Sequence, residues 1–391
     1  MSGVRSASVG VWVRYGSAHE AGDELGAAHL LEHMVFKGTG RRTARDIAVA
    51  LERLGGSLDA YTAREHTSFQ ARVLDEHLDV ALDVLADLVV DPRLREEDLE
   101  LEREVVLEEI ATVEDTPDDL VFELHTAALW PDHPYGHSIL GTRRTVAGMT
   151  AADLRRVHTG AYRRPNLVLA AAGAVDHEAV VAAVERRFAD APGGGSPADV
   201  ASPPSLVAEE RRFERAGSQT HIVLGGRSVS HADPLRFPLI LLSNAVGGGM
   251  SSRLFQRVRE ELGLAYSVFT FQSFYRTGGT LGVYVGTRPE WADRAVEVIR
   301  AELRRVVDAG LTAAELEDVK GQVKGQMVLG LESPGGRVYR LALQELYGEP
   351  HRTIDELVAR IDGVTMDDIA EVAAEYLDPE RWLTVRLGPA H

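Results

Sequence analysis

Alternation opens the chain. Ala7, Val9, Val11 and Val13 are separated by Ser8, Gly10 and Trp12, the period-two pattern of a half-buried β-strand. A helix is expected over 26–36, followed by a Gly-Thr-Gly turn at 38–40. Residues 43–54 read as a second helix, with Thr43 placed to cap its start and Gly55-Gly56 to end it. Strands are predicted at 57–61 and 67–74, joined by a turn short enough to make them antiparallel neighbours. An amphipathic helix covers 77–90, Pro92 breaks it, and a further helical stretch runs over 95–112.

The same pattern divides the chain. Pro192-Gly193-Gly194-Gly195-Ser196 and Ser202-Pro203-Pro204 mark 191–207 as a linker between a domain at 1–190 and a domain at 208–391. After the helix at 77–90 come Leu94, Leu99 and Glu100; after a similar helix at 290–307 come Leu311, Leu316 and Glu317. The offset is a constant 217 residues, from Leu94 to Leu311 and from Leu99 to Leu316. Two unrelated amphipathic helix pairs are the plainer explanation, but the constant offset favours an internal repeat. Strands and helices mix without a strict βαβ rhythm, so an α+β fold with mostly antiparallel sheets is expected.

Composition narrows the classes. The chain has 391 residues, 45% of them apolar, enough for two or three domains with sizeable cores. It has no cysteine, which removes disulfides, thiolate metal sites and a Cys nucleophile. Sixty acidic side chains against 42 basic ones leave a net charge of −18, which argues against nucleic acid as a partner. No apolar run approaches the ~18 residues of a membrane span, and Met1–Arg5 has no apolar core of a secretory signal. A cytoplasmic protein is therefore expected. Only three lysines occur, Lys37, Lys320 and Lys324.

The chemistry begins at His29-Leu30-Leu31-Glu32-His33, an H-x-x-E-H pattern. On a helix, residues three and four apart share a face, so both imidazoles can address one metal ion and Glu32 can reach water beside it. The order is the inverse of the H-E-x-x-H metallopeptidase helix. A zinc site of this kind needs a third protein ligand and keeps a position for water. Without cysteine that ligand is His, Asp or Glu. Glu102 and Glu109, two turns apart in the acidic helix, are the leading candidates, while Glu96, Glu97, Asp98, Glu100 and Glu104 read as a solvated face. His133 and His137 have the same spacing as His29 and His33, but Pro134 and Gly136 between them point to a loop. Glycines 247–249 lack the lysine of a phosphate-binding loop.

In combination these residues resemble the pitrilysin/insulysin-type (inverzincin) zinc metallopeptidases. Within that family the likeness is strongest to the mitochondrial processing peptidase β-subunit and its short bacterial relatives. The matching pieces are His29–His33, Met34-Val35-Phe36-Lys37-Gly38-Thr39, Gly55-Gly56-Ser57-Leu58-Asp59-Ala60-Tyr61-Thr62, Glu109 and His133-Pro134-Tyr135-Gly136. The second half adds Gly248-Gly249-Met250-Ser251-Ser252-Arg253-Leu254-Phe255, and Val258-Arg259-Glu260 through Gly263-Leu264-Ala265-Tyr266-Ser267.

The resemblance implies two homologous domains, each a mostly antiparallel sheet with helices on one face, together forming half of a clamshell. It implies one Zn2+ per chain held by His29, His33 and Glu109, with Glu32 as general base and Glu102 behind a ligand, orienting it. It implies that peptides add as a strand along 58–62, at Asp59, Ala60 and Tyr61, and that Arg259 and Tyr266 hold the substrate. Asp59 stands where the family usually has Asn. Glu109 maps to Gln326 at the repeat offset, so the second half cannot rebuild the site. A zinc endopeptidase working in a closed dimeric chamber follows, as a homodimer or paired with a homologous chain. The alternative is a non-catalytic assembly subunit of the same fold. A strand before Ser6 is also usual in the family, in a stretch where this sequence starts. Finally, 95–123 carries 13 acidic residues against two arginines, so basic peptides are the expected substrates.

Overall fold

The computed structural model describes residues 1, 3–196, 199–204 and 208–390. The linker expected at 191–207 thus lies partly outside the described residues, as do Ser2 and His391 of the flanking domains.

Two compact units form, and neither is a continuous half of the chain. The first comprises Met1–Thr112, His137–Val200 and Leu329–His351; the second comprises Val113–Gly136, Ala201–Val328 and Arg352–His391. Each unit therefore takes in a segment from across the 191–207 region, which a simple division at 1–190 and 208–391 does not provide for.

The elements of the first unit follow the expected pattern closely. They are β1 (Ser6–Val13), α1 (Ala27–Val35), α2 (Ala44–Glu52), β2 (Ser57–Thr62), β3 (Thr67–Leu74), α3 (Leu78–Val90), α4 (Glu96–Asp115) and, later in the chain, β4 (Leu167–Gly173). Thr43 caps α2 reciprocally with Asp46, its Oγ1 accepting from the Asp46 amide at 3.2 Å. The strands form one antiparallel sheet in the order β2-β3-β1-β4, with β2 at an edge.

β1 is buried on both faces rather than one. Val9, Val11 and Val13 enter the main core with Leu30, Leu31 and Met34 of α1 and Leu82 and Leu85 of α3. Trp12 points the other way, against Val168, Ala172 and the helix Pro334–Tyr347, through Val338, Ala342 and Leu346. Alternation showed the two faces of this strand but not that a helix some 330 residues away covers the second. Gly10 makes room for the indole: a Cβ there would lie 2.7 Å from the Trp12 ring.

The second unit repeats the plan. It contains α5 (Pro117–Leu129), β5 (Glu210–Glu214), β6 (Thr220–Ser228), β7 (Ala265–Phe274), β8 (Gly279–Thr287) and β9 (Leu383–Gly388). The order β7-β8-β6-β9 copies β2-β3-β1-β4, and the helix Ala313–Gly330 begins 217 residues after α4. Ile222, Leu224, Leu281 and Val283 pack with Leu239, Leu242, Ile299 and Leu303 of the helices on one face. α5 covers the other, where Phe122 meets Phe271 at 5.0 Å and Tyr284 at 5.5 Å.

The sheets differ at one edge. β5 adds to β9 in parallel, with the Arg215 amide donating to Gly388 O at 2.7 Å. Beside β4 no such strand stands among the described residues, although the Met1 amine makes the matching bond to Gly173 O at 2.7 Å. Among the described residues no helix is long and apolar enough to cross a membrane.

Candidate metal centre

α1 is aimed by its burial. Ala27, Ala28, Leu30, Leu31, Met34 and Val35 are all buried, so the remaining face, with His29, Glu32 and His33, is turned from the core. The helix starts at Gly26, whose φ of 92° is left-handed, and a Cβ there would sit 2.7 Å from Leu140 O. No side chain occupies the usual capping position. Glu20 substitutes for it, accepting from the Gly26 amide at 2.7 Å and the Ala28 amide at 2.5 Å. Burial pushes the Glu20 carboxyl up to about 8, against the pull of the two amides.

α4 supplies the facing carboxylates. Glu102 and Glu109 lie on one side of it, and Leu99, Val106 and Ile110 anchor it in the core. One ligand atom each from His29, His33 and Glu109 lie within 4.8 Å of one another, which forms a metal-sized donor set. Glu109 approaches His29 Nε2 at 3.5 Å and His33 Nε2 at 3.7 Å. Burial, then repulsion from His33, lowers the His29 pKa to about 4, so the ring is held neutral as a metal donor must be. His33 Nδ1 lies 3.1 Å from Glu102 Oε2. An ionised carboxylate only accepts, so Nδ1 carries the proton and Nε2 is left free on the side of Glu109. The chemistry of this set, two imidazoles and a carboxylate without sulfur, suits zinc.

Glu32 sits on the same face, and burial raises its pKa. Thr62 Oγ1 donates to its Oε2 at 2.6 Å, which leaves Oε1 available for a proton. Thr62 ends β2, so the edge strand and the carboxylate of α1 are directly tied. Asp59, Ala60 and Tyr61 lie on this strand and pair inward with Gln70, Phe69 and Ser68 of β3. The other side of β2 has no strand partner among the described residues. Asp59 is exposed, whereas the Tyr61 hydroxyl lies 3.2 Å from His66 Nε2 and burial pushes it up to about 12.

Arg259 and Tyr266 occur together in the second unit. Arg259 lies in a π-helical turn, Phe255–Glu261, and donates from Nη1 to Tyr266 O at 3.0 Å. Its guanidinium lies 4.5 Å above the Tyr266 ring and 4.7 Å from that of Phe255. The register of β7 against β8 shifts between Ala265 and Ser267, so Tyr266 is a bulge residue, and it is 78% exposed.

His133, as expected, is a loop residue; its Nε2 lies 3.0 Å from Ala201 O. Three residues near the metal helix carried no assigned role in the sequence: Glu20, Lys37 and Thr62. Lys37 and Thr62 fall inside the matching motifs, so a signal was present, but their contacts are with Glu102 of α4 and Glu32 of α1.

Residues 2–143 match the family model described as Insulinase (Peptidase family M16). Residues 148–323 match the model described as Peptidase M16 inactive domain. The chain belongs to peptidase family M16. An uncharacterized zinc protease of Mycobacterium leprae is 41% identical over 99% of this chain and 87% of its own length. The uncharacterized zinc protease YmxG of Bacillus subtilis is 37% identical over 95% of this chain and 90% of its own. Among solved M16 structures, a peptidase M16 inactive domain from Pseudomonas fluorescens superposes with a TM-score of 0.94 at 22% identity, covering 100% of this chain and 94% of that one. A protease from Helicobacter pylori gives 0.93 at 22% identity over 98% and 95% of the two chains, so the M16 fold is shared.

One prediction comes from Glu20. Its carboxyl rises from 4.5 to about 8 on folding, so the folded chain holds a proton that the unfolded chain has released between those values. Stability is therefore lost as pH rises through that window. Glu20→Gln removes this contribution, and its urea midpoint relative to the unaltered protein should climb from pH 5 to pH 8. A difference that stays constant with pH would contradict the buried-proton reading.

Proposed function

We propose that this M16 chain is a zinc-dependent endopeptidase that hydrolyses peptides or short unfolded polypeptides. The observation that carries the reading is the convergence of His29, His33 and Glu109 within 4.8 Å, with Glu32 on the same helix face. These three residues would hold one Zn2+ per chain. When bound, zinc supplies a water with its pKa lowered to about 7 and polarises the scissile carbonyl. Glu32 takes the proton on its free Oε1 and delivers it to the leaving amine, while Thr62 keeps Oε2 in place. Glu102 fixes the His33 ring. The free edge of β2 at Asp59, Ala60 and Tyr61 pairs with an extended substrate through backbone hydrogen bonds, which ask little of its sequence. A non-catalytic assembly role would fit a broken donor set better than the intact one here.

The active form is proposed as a dimer, of two copies or with a homologous chain, around a closed chamber. The second unit has no metal donor set among the described residues, yet carries the Arg259–Tyr266 pair. In a dimer that pair would serve the partner's site. The exposed carboxylates Glu97, Glu100, Glu104 and Glu108 on α4 favour basic peptides by long-range attraction.

Glu32→Gln is expected to keep its zinc and to lose peptide hydrolysis by about 10²–10⁴-fold. Metal analysis beside cleavage of a mixed peptide library measures both, and retained hydrolysis would sink the base assignment. Mixing Arg259→Ala with Glu32→Gln chains should partly restore activity through dimers in which one site is complete. No rescue in demonstrably mixed dimers counts against completion between chains. Basic peptides should be cleaved with a higher kcat/KM than acidic ones at low salt, and the gap should close as the ionic strength rises. A flat preference at low salt rejects the electrostatic selection.

A further inference from the structure

The Lys37 ammonium is the second partner of Glu102: Nζ ion-pairs with Oε1, while Oε2 holds His33 Nδ1 at 3.1 Å. Glu102 is only 7% exposed, so its carboxylate has little water to fall back on. We infer that Lys37 is a positioning residue of the metal centre, acting through Glu102 to set the His33 ring. This rests on the reading of His29, His33 and Glu109 as metal ligands.

The backbone under Lys37 is held on both sides. Its amide donates to Met34 O at 3.1 Å, at the end of α1. Beyond it, the Arg93 amide donates to Gly38 O at 2.9 Å and the Thr39 amide to Arg42 O at 2.9 Å. Thr39 Oγ1 donates to Asp87 Oδ2 of α3 at 2.7 Å. The lysine stem thus leaves a fixed point and reaches one target. A carboxylate with both oxygens engaged cannot swing about its terminal bond. With one oxygen released, the buried group turns to find a donor, and the imidazole it holds turns with it. The arrangement is relayed: Lys37 pairs with Glu102, Glu102 touches one ring, and that ring presents Nε2 on the side of Glu109.

A lysine that merely stapled α1 to α4 would affect stability and leave the metal affinity of the folded protein alone. The test is therefore the zinc dissociation constant, measured by chelator competition at one pH on folded protein. Lys37→Met is expected to weaken zinc about tenfold, at the lower end of what outlying partners of metal ligands contribute. Lys37→Arg, which keeps a charged donor, should stay within about threefold of the unaltered protein. Glu102→Gln should weaken zinc by about 10–100-fold, and adding Lys37→Met to it should change little more, because the lysine acts through that carboxylate. If Lys37→Met does not fold, Lys37→Gln gives the same comparison without charge.

An unchanged zinc affinity in the folded variant overturns the inference, and so does an equal loss in the presence and absence of Glu102→Gln. An unaltered protein that binds no zinc overturns the metal centre itself, and the inference with it. Tight zinc binding without peptide hydrolysis would instead fail the proposed peptidase and leave the Lys37 comparison intact.

Discussion

The rotation of α1 about its own axis governs everything else at the site. Leu30, Leu31, Met34 and Val35 are fully buried against the sheet and α3, and this locks which face is turned outward. Two imidazoles one turn apart are useful to a metal only if that face looks at a third donor. The buried side chains Leu99, Val106 and Ile110 do the same for α4, so Glu102 and Glu109 arrive opposite His33 and His29. The candidate metal donors are thus aligned by apolar packing that contains no metal chemistry at all. The entry into α1 follows the same logic. Gly26 permits a close backbone crossing that any Cβ would block, and Glu20 satisfies amides that the crossing leaves without a helical partner.

Carboxylates in this site are differentiated by what each touches. Glu109 faces two imidazoles and is partly open. Glu102 is buried and has both oxygens engaged. Glu32 has one oxygen held by Thr62 and one free, in surroundings that raise its pKa. In the proposed reading one functional group would thereby serve as ligand, orienter or base according to burial and hydrogen bonding. The link from Thr62 also ties the base to the edge strand β2, so the element proposed to bind substrate and the element that carries the base are one mechanical piece.

The two units show what a repeat can share and what it can vary. Strand order and the paired helices after the sheet recur, and each sheet has its second face covered by a helix from across the chain. A four- or five-stranded sheet with apolar residues on both faces cannot leave one face wet. The exchange of Leu329–His351 and Val113–Gly136 solves this for both units. The units differ within that frame: among the described residues one has the His29, His33 and Glu109 donor set, while the other has the π-turn and bulge that present Arg259 and Tyr266.

Much of this was legible along the chain. Local pattern located β1, α1, α2, β2, β3, α3 and α4 within a few residues, because period, caps, glycines and prolines act over short spans. Pro134 and Gly136 placed His133 and His137 in a loop, and spacing alone put His29, Glu32 and His33 on one helix face. It left Glu102 and Glu109 as equals, since two residues on one face of a helix cannot be ranked without knowing the distance to α1. The family resemblance ranked them, with Glu109 as ligand and Glu102 behind it, and the tertiary structure supplies the geometry: Glu109 reaches both imidazole Nε2 atoms, and Glu102 reaches the back of one ring. It also decided that β1 is covered on both faces, that Tyr266 is exposed, that Lys37 and Thr62 contact Glu102 and Glu32, and that Glu20 caps α1. Each of these depends on contacts between residues far apart in sequence, which local periodicity cannot encode and which only the packing of helices on the sheet brings within hydrogen-bond range.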